Sequence, residues 1–269
     1  MLQQAVDFQA ECDELRTLLE ELDEQDWQRV TQFKRWAIND VLAHLHLFSY
    51  AADLSLQNND AFANLMRDLS MATRQGTTHL AFTHAWLGGV KNHELLNQWR
   101  DFYQAMADRF MVADPKKRVP WAGPPMSVRS SITARLMETW AHGQAIYDLL
   151  GETRNDTDRI KNIVVLGINT FAWTFTNRRM AIPERLPYVR LDAPSTTVWE
   201  WGEPDQANVI EGSATEFCQV VTQVRNVADT RLRVVGPTAT AWMSSAQCFA
   251  GPPEDPPPPG TRFVQHAAN

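Results

Sequence analysis

Cysteine is scarce in this sequence and follows no pattern typical of a disulfide framework or a zinc ribbon. The 269 residues include three cysteines, Cys12, Cys218 and Cys248, which are isolated and form no C-x-x-C pair. Widely spaced thiols in odd number are typical of reduced, structural cysteines in a cytoplasmic protein. Because none lies beside a histidine or in a recognisable nucleophile motif, we do not expect a cysteine nucleophile.

Long apolar runs and an excess of basic residues are also missing. No apolar run approaches the ~20 residues that a membrane-spanning helix requires, and the N-terminus lacks the basic and apolar regions of a secretory signal. Lysine and arginine total 25 against 32 acidic residues, a formal charge of -7. A mildly acidic surface argues against nucleic acid or an anionic membrane as a partner. We therefore expect a cytoplasmic protein that binds small molecules, with no nucleic acid and no membrane.

Helical patterns dominate the first part of the chain. Apolar residues recur at helical spacing over 3–23, opposite an acidic face. Further helices are predicted over 39–56, 60–75, 92–112 and 127–150. The last begins after a loop rich in proline and glycine, DPKKRVPWAGPPMS, with Ser127 as its cap and Gly151 as its end. Helices joined by short or medium links are typical of a bundle.

Strand patterns follow a further helical stretch at 159–180. Strands are predicted over 188–192, 197–201, 209–210 and 232–235, and helices over 214–227 and 238–249. From Gly251 the sequence GPPEDPPPPG is too rich in proline to pack, which predicts a flexible end. The predicted domains are a helical bundle over 1–155, a small α+β domain over 156–250 and a flexible tail over 251–269.

A carboxylate and an imidazole stand four residues apart in ETWAHGQ, residues 138–144. On a helix, this spacing puts Glu138 and His142 on one face with Cβ atoms roughly 5–6 Å apart, so both can reach one cation. An ordinary exposed pair has the same spacing. The residues that share the face are small or apolar: Ala134, Ala141, Ala145 and Leu149. Because a carboxylate buried among them is costly unless paired or bound to a metal, we interpret the pair as internal.

A third ligand must come from another helix, and AHLHLF, residues 43–48, offers two histidines. His44 and His46 are separated by about 200° around a helix, so only one can face a given metal. His44 shares its face mainly with apolar residues, which favours it as the inward one. Either histidine could instead be a core residue bonded to a carbonyl. The other histidines are His79, His84 and His93, expected between helices with His84 at a cleft, and His266 in the tail.

Two spaced motifs together resemble a known family. They are Trp36-x-x-x-Asp40-x-x-x-His44-Leu45 and Glu138-x-x-x-His142-Gly143-Gln144, with Asp148 near the helix end. This pattern is similar to the DinB-like metal-binding bundles, and most of all to the branch of mycothiol-dependent maleylpyruvate isomerases. The PWAGPPMS loop and the WEWG, FCQVVTQ and AWMSSAQCFAGPP stretches are similar to an uncharacterised metal-binding group beside those isomerases. The likeness covers nearly the whole chain.

The resemblance implies a fold and a ligand set. The expected fold is α + (α+β), with an N-terminal DinB-like four-helix bundle and a C-terminal sterol-carrier-like α+β domain. In that family a histidine of the second helix and a Glu-x-x-x-His pair of the fourth bind a divalent metal, usually zinc, which implies His44, Glu138 and His142 here. Ala37 departs from the pattern because relatives commonly have a capping Thr or Ser there, and this affects helix-end stability rather than the ligands.

Two imidazoles and one carboxylate leave coordination open, which is typical of a catalytic metal. Zinc suits these ligands, as do iron(II), manganese and nickel. The resemblance implies that a low-molecular-weight thiol, mycothiol or glutathione, coordinates the metal as thiolate and attacks an electrophilic carbon of a small substrate. The protein is then a thiol S-transferase if the adduct persists, or a cis–trans isomerase if the thiol leaves after bond rotation.

Two other functions stay open on the sequence alone. Water in the open position would make the protein a metal-dependent hydrolase. A non-catalytic protein that senses metal or carries an apolar ligand would use the same residues. Candidate pocket groups are Trp121, Arg129 and Arg135. An arginine among them could hold a substrate carboxylate or could simply lie at the surface.

Overall fold

The structure is a computed structural model and describes residues 1–265. It is a mixed structure of helices and two small sheets. The chain divides into two compact units, Met1–Ile146 and Tyr147–Asn269. This division comes earlier in the chain than the predicted boundary at residue 155. Over the described range, no helix is both long enough and apolar enough to cross a membrane.

Six α-helices are described for the first part of the chain. They are α1 (Gln3–Glu20), α2 (Ile38–Gln57), α3 (Asn59–Arg74), α4 (His79–Leu87), α5 (Asn92–Val112) and α6 (Val128–Leu150). Five of them match the helices predicted from periodicity. Helix α4 was not predicted, and it corrects the expectation that His79 and His84 lie in a connection. His93 likewise belongs to α5.

The ends of α4 explain why it forms. The side chain of Thr78 accepts a hydrogen bond from the backbone N–H of Ala81 at 3.1 Å, which satisfies one free donor of the first turn. At the other end, Gly88 adopts a φ of 63°, the left-handed conformation in which helices commonly stop. These two caps define a helix of nine residues between them.

The loop before α6 contains a short β-ladder that the sequence did not predict. Strand β1 (Arg118–Val119) pairs antiparallel with β2 (Met126–Ser127). Directly after it, Ser127 Oγ accepts a hydrogen bond from the backbone N–H of Ser130 at 3.1 Å, so the predicted cap of α6 is confirmed.

Partly buried polar links join α5 to its neighbours in the first unit. The Tyr103 hydroxyl donates to Asp13 Oδ1 on α1 at 2.6 Å. The Arg109 guanidinium donates two hydrogen bonds of 2.8 Å to the Asp53 carboxylate on α2. Around them lies an apolar core with large, fully buried side chains: Phe8, Leu15, Trp27, Trp99 and Phe110. Burial of this surface is the main favourable contribution to the folding of the unit.

The second unit contains a four-stranded sheet and short helices. Its strands are β3 (Tyr188–Asp192), β4 (Val198–Trp201), β5 (Val209–Ser213) and β6 (Arg233–Val235), in the order β4-β3-β5-β6. Its helices are α7 (Lys161–Asn169), α8 (Phe171–Asn177), α9 (Ala214–Val221) and α10 (Pro237–Met243). β3 and β5 are parallel, and the outer pairs are antiparallel. The four predicted strands are confirmed, whereas the helix predicted over 159–180 is divided into α7 and α8.

The segment predicted as a flexible tail makes specific contacts within the second unit over its described part. Arg262 Nη1 donates to the carbonyl oxygen of Gln223 at 2.7 Å, and Asn226 Nδ2 donates to that of Pro257 at 2.9 Å. Side chains thus satisfy one backbone carbonyl on each side of the contact. These contacts tie parts of 251–265 to the second unit, and the flexibility of the tail stays a prediction. Residues 266–269, with His266, lie outside the described residues.

Candidate metal centre

Helix α6 brings a carboxylate and an imidazole together by its own geometry. Glu138 and His142 are one turn apart, and Glu138 Oε2 lies 2.9 Å from His142 Nε2. Helix α2 adds a third group, because His44 Nε2 lies 3.7 Å from the same carboxylate oxygen. One ligand atom from each of the three side chains lies within 4.8 Å of the others. The structure therefore brings together the three residues that the sequence singled out.

The spacing of these atoms fits a divalent cation. Ligand atoms about 2.1 Å from a tetrahedral zinc ion lie roughly 3.4 Å from one another. The distances of 2.9 Å and 3.7 Å to Glu138 Oε2 lie on either side of that value. Two imidazole nitrogens and a carboxylate oxygen form a donor set that suits zinc and several other divalent metals.

The local electrostatics keep His44 and Glu138 in the protonation states that a metal requires. Burial lowers the pKa of His44 to about 4, so its imidazole is neutral near pH 7. Burial alone would raise the pKa of Glu138, but the neighbouring His142 and His44, together with the charge of Arg135, hold it well below its usual range. The cluster thus offers an ionised carboxylate and a neutral imidazole, the forms in which these groups bind metals.

Aromatic rings surround the two imidazoles on several sides. Phe33 lies against His142 with a ring-centroid distance of 4.8 Å, and Phe48 lies against His44 at 4.7 Å. Trp36 contacts both imidazoles, at 5.3 Å from His44 and 6.3 Å from His142. An apolar shell of this kind limits the access of water and lowers the local dielectric. The sequence pattern included Trp36, and helical periodicity put Phe48 on the same face as His44, but no sequence signal pointed to Phe33.

A tight turn before α2 holds Phe33 and Trp36 in position. The backbone N–H of Trp36 donates to the carbonyl of Phe33 at 2.9 Å. Between them, Lys34 and Arg35 adopt φ values of 49° and 60°, a left-handed conformation that is uncommon outside glycine. Backbone strain of this kind persists only where the surrounding structure imposes it, and it is frequent beside functional sites.

The N-terminus of α2 is capped by Asp40, although the residue at the N-cap position is Ala37. Alanine has no side-chain acceptor, but Asp40 Oδ2 accepts a hydrogen bond from the backbone N–H of Ala37 at 2.9 Å. This is the reciprocal half of a capping box, in which the third residue of the helix reaches back to the cap. Asp40 therefore fixes the first turn of the helix that carries His44.

The other histidine of α2 belongs to a different environment. His46 packs against Trp86 and Phe102, each with a ring-centroid distance of 5.4 Å. Burial lowers its pKa to about 4, and its Nδ1 has no hydrogen-bond partner. His46 is therefore a buried aromatic-cluster residue, and it is not one of the three converging groups.

The three candidate pocket residues, Trp121, Arg129 and Arg135, differ in burial and in their contacts. Arg129 is exposed, and Trp121 stacks on Phe62 with a centroid distance of 6.1 Å. Arg135 is 2% exposed and lies one turn before Glu138, where burial lowers its pKa. Two of its nitrogens, Nε and Nη2, lack a hydrogen-bond partner. Of the three candidates, Arg135 is the one whose charge acts on the carboxylate of the cluster.

Asp148, which belongs to the sequence pattern, forms an ion pair inside the second unit. Its carboxylate accepts hydrogen bonds of 2.7 Å and 2.6 Å from the guanidinium of Arg225.

The three cysteines, Cys12, Cys218 and Cys248, are buried. Burial raises the pKa of Cys12 and Cys218 well above the ordinary thiol value, which opposes thiolate formation.

Comparison with known proteins defines the class to which this fold and cluster belong. The profile of the mycothiol maleylpyruvate isomerase N-terminal domain matches residues 8–147. The chain belongs to this family, which confirms the resemblance inferred from the Trp36-to-His44 and Glu138-to-His142 motifs.

Particular relatives extend the likeness over most of the chain. An uncharacterised protein of Mycobacterium tuberculosis, found in two strains, is 36% identical over 247 residues, which cover 92% of this chain and 95% of the relative. The crystal structures of a mycothiol-dependent maleylpyruvate isomerase and of its histidine-to-alanine mutant share the fold. Both match with a TM-score of 0.51 and 14% sequence identity, over 81% of this chain and 87% of that chain.

Proposed function

We propose that this protein is a divalent-metal-dependent enzyme that uses a low-molecular-weight thiol as nucleophile on a small electrophilic substrate, and that it acts as a cis–trans isomerase. The observation that carries the proposal is the convergence of His44, Glu138 and His142 in a chain of this family. The solved relative is named a mycothiol-dependent maleylpyruvate isomerase, which supports mycothiol as the thiol. Glutathione is the other thiol to be tested.

The proposed metal ligands are His44 on α2 with Glu138 and His142 on α6, and zinc, which suits these donors and which the family resemblance implies, is the proposed metal. A bound zinc ion would lower the pKa of a thiol that coordinates it, so that the thiol reacts as a thiolate. The protein contributes the neutral imidazole of His44 and the ionised carboxylate of Glu138. Three protein ligands leave room for a reactant.

The aromatic shell borders the cluster without closing it. Phe33, Trp36 and Phe48 lie against the imidazoles and give the cluster an apolar border. The side chains of His44, Glu138 and His142 nevertheless remain 14–24% exposed, so a reactant can approach them from solvent.

The proposed reaction is balanced without an oxidant or a reductant. The sulfur forms a bond to one carbon of a conjugated double bond, and the π electrons move toward the adjacent carbonyl. The former double bond can now rotate. The carbon–sulfur bond then breaks, the double bond forms again in the other geometry, and the thiol leaves unchanged. If the adduct gains a proton and persists, the same first step makes the protein an S-transferase.

The nucleophile in this scheme comes from outside the protein. Its own thiols are buried, and the raised pKa of Cys12 and Cys218 opposes their ionisation. A small-molecule thiol therefore has no competitor of its own type at the surface of the described chain. This supports a thiol cosubstrate, and we propose that both reactants are cytoplasmic small molecules.

We further propose the finer architecture that the resemblance implied. The four longest helices are α1, α2, α5 and α6, with 18, 20, 21 and 23 residues. α5 packs against both α1 and α2. These features support a DinB-like four-helix bundle for the first unit. The small sheet with its covering helices supports a sterol-carrier-like domain for the second.

The test is an isomerisation assay with maleylpyruvate and either mycothiol or glutathione. Protein stripped of metal should be inactive and should regain activity when zinc is added. His44→Ala and Glu138→Gln should abolish activity, whereas His79→Ala, a matched change at an exposed histidine outside the cluster, should retain it. Full activity after metal removal, or in His44→Ala, would overturn the proposal. Turnover of substrate without any thiol would favour the hydrolase.

A further inference from the structure

Arg135 is a charged residue inside the first unit that the proposed reaction does not yet use. It is 2% exposed, and its Nε and Nη2 atoms are buried without a hydrogen-bond partner. Buried polar groups ordinarily have partners, and a buried charge without them is costly. Arginine cannot avoid this cost by losing its proton, because its guanidinium stays charged in proteins. The presence of this charge in the interior therefore calls for an explanation.

Helical spacing places Arg135 beside the metal cluster. Arg135 stands three residues before Glu138 and seven before His142, so the three side chains lie along one face of α6. The cluster reaches α2 through His44, whose Nε2 lies 3.7 Å from Glu138 Oε2. Burial is the main cause that lowers the pKa of His44, and the charge of Arg135 acts in the same direction. The guanidinium thus acts electrostatically on groups of both helices.

The guanidinium of Arg135 cannot grip a substrate carboxylate. A two-point contact between an arginine and a carboxylate uses Nε or Nη2, and both of these atoms are buried here. The role of a carboxylate holder, which the sequence left open for Arg135, is therefore excluded in its bidentate form. Arg135 can act on the cluster through space, and the low dielectric of the interior strengthens such an interaction.

The titratable groups around Arg135 balance its charge only in part. Those that act on it are Glu138 on its own helix and Cys12 on α1. Burial raises the pKa of Cys12 well above the ordinary thiol value, so this thiol is neutral near pH 7. His44 on α2 is neutral as well, because burial lowers its pKa to about 4. Among these groups, Glu138 is the one that supplies a negative charge.

A divalent metal ion at the cluster would change this balance. The charge of Glu138 would then be shared between the ion and the guanidinium, and the ion, Glu138 and Arg135 together would carry a net positive charge. An anion in the open coordination position reduces that charge, whereas a neutral thiol leaves it unchanged. Nearby like charges repel. The arrangement thus favours an anionic occupant over a neutral one and disfavours the metal ion itself.

We propose that Arg135 is a positioning residue that acts by its charge: it favours the ionised form of the cosubstrate thiol at the open position of the metal, while it weakens the binding of the metal. This inference rests on the proposed function and deepens it, because it explains how the site keeps a bound thiol ionised. The proton that the thiol loses passes to solvent, which reaches the partly exposed cluster. The guanidinium takes no part in bond formation.

The test uses the full-length protein loaded with cobalt(II), whose thiolate complexes absorb in the near ultraviolet, and it requires no turnover of substrate. A pH titration of this absorption with excess mycothiol gives the pKa of the bound thiol. We expect Arg135→Met and Arg135→Gln to raise that pKa by about one unit. In competition with a chromophoric chelator, both variants should bind the metal at least about tenfold more tightly. Arg135→Lys, which keeps the charge, should stay closer to the wild type in both measurements.

Arg67→Met is the matched control, because it removes an exposed arginine on α3 and should leave both values unchanged. An unchanged thiol pKa in the two neutral variants would overturn the inference. Weaker metal binding in those variants would also overturn it, since Arg135 would then serve to hold Glu138 in place. Circular dichroism checks that each variant is folded.

The same measurements separate this inference from the proposed function. A wild-type protein that binds cobalt and thiolate, with the expected shifts in the Arg135 variants, but does not isomerise maleylpyruvate would contradict the proposed function alone. A wild-type protein that binds no cobalt, or shows no thiolate absorption, would contradict both.

Discussion

The Nε2 atom of His44 lies 3.7 Å from Oε2 of Glu138, although the two residues come from helices far apart in the chain. Glu138 and His142 are held by one turn of α6, so their relative position depends on local structure alone. The position of the third proposed ligand, His44, depends on how α2 packs within the first unit. The geometry of the proposed centre is therefore set mainly by one distance between two helices.

Removal of either side of that contact should destroy metal binding. We expect His44→Ala and Glu138→Gln to lower the zinc affinity by more than about 100-fold, because loss of even an outer partner of a metal ligand costs about 10–100-fold. The affinity can be measured by competition with a chromophoric chelator. His79→Ala serves as the matched control. A His44→Ala protein that still binds one zinc ion per chain with native affinity would contradict the assigned ligand set.

Loss of the aromatic shell should lower the catalytic activity while the amount of bound zinc changes little. Trp36→Ala opens the space beside His44 and His142 to water, and we expect kcat/KM to fall roughly tenfold while zinc remains bound. Trp36→Phe should retain most of the activity because it keeps a ring in place. Elemental analysis and steady-state kinetics measure the two effects separately. Native kinetics in Trp36→Ala would show that the shell has no part in the reaction.

The cysteines should be unreactive in the folded protein. All three are buried, so we expect Ellman's reagent to detect no thiol under native conditions and all of them after denaturation. Cys12→Ala should retain the isomerase activity because the proposed nucleophile is the added thiol. Loss of activity in a folded Cys12→Ala protein would argue that this residue takes part in the chemistry.

The ion pair between Asp53 and Arg109 should contribute to stability. Asp53 is 4% exposed, and removal of its partner leaves a buried carboxylate with fewer donors. Because Arg109 is itself partly exposed, we expect Arg109→Met to destabilise the protein by about 2 kcal/mol, less than for a fully buried pair. Urea unfolding measures this loss. The double variant Asp53→Leu with Arg109→Met should recover part of it, and an equal or greater loss there would contradict the explanation.

Local features of the site could be predicted from the sequence because they depend on neighbouring residues. The spacing of Glu138 and His142 sets their geometry once α6 is recognised as a helix. The choice of His44 over His46 followed from periodicity, but its approach to α6 depends on packing between distant segments. That part of the prediction came from the resemblance to a known family.

Other features could not be predicted because their local signals were weak. Helix α4 is short and has no clear apolar stripe, so its caps, Thr78 and Gly88, were not recognised. The turn that positions Phe33 uses Lys34 and Arg35 in a left-handed conformation, where glycine or asparagine would have indicated a turn. The tail from 251 was predicted from proline content, which carries no information on the side chains that bind it.

The meeting of α2 and α6 at one cluster has a consequence for folding. A cation held by His44, Glu138 and His142 would close a long loop of the chain, as a disulfide does, at a point where the described structure has no covalent link. In the chain-entropy description, such a closure stabilises mainly by restricting the unfolded ensemble, and the effect grows slowly with loop length. The bound ion would then act as a reversible cross-link, and the free energy of unfolding of the first unit would rise with the concentration of free metal.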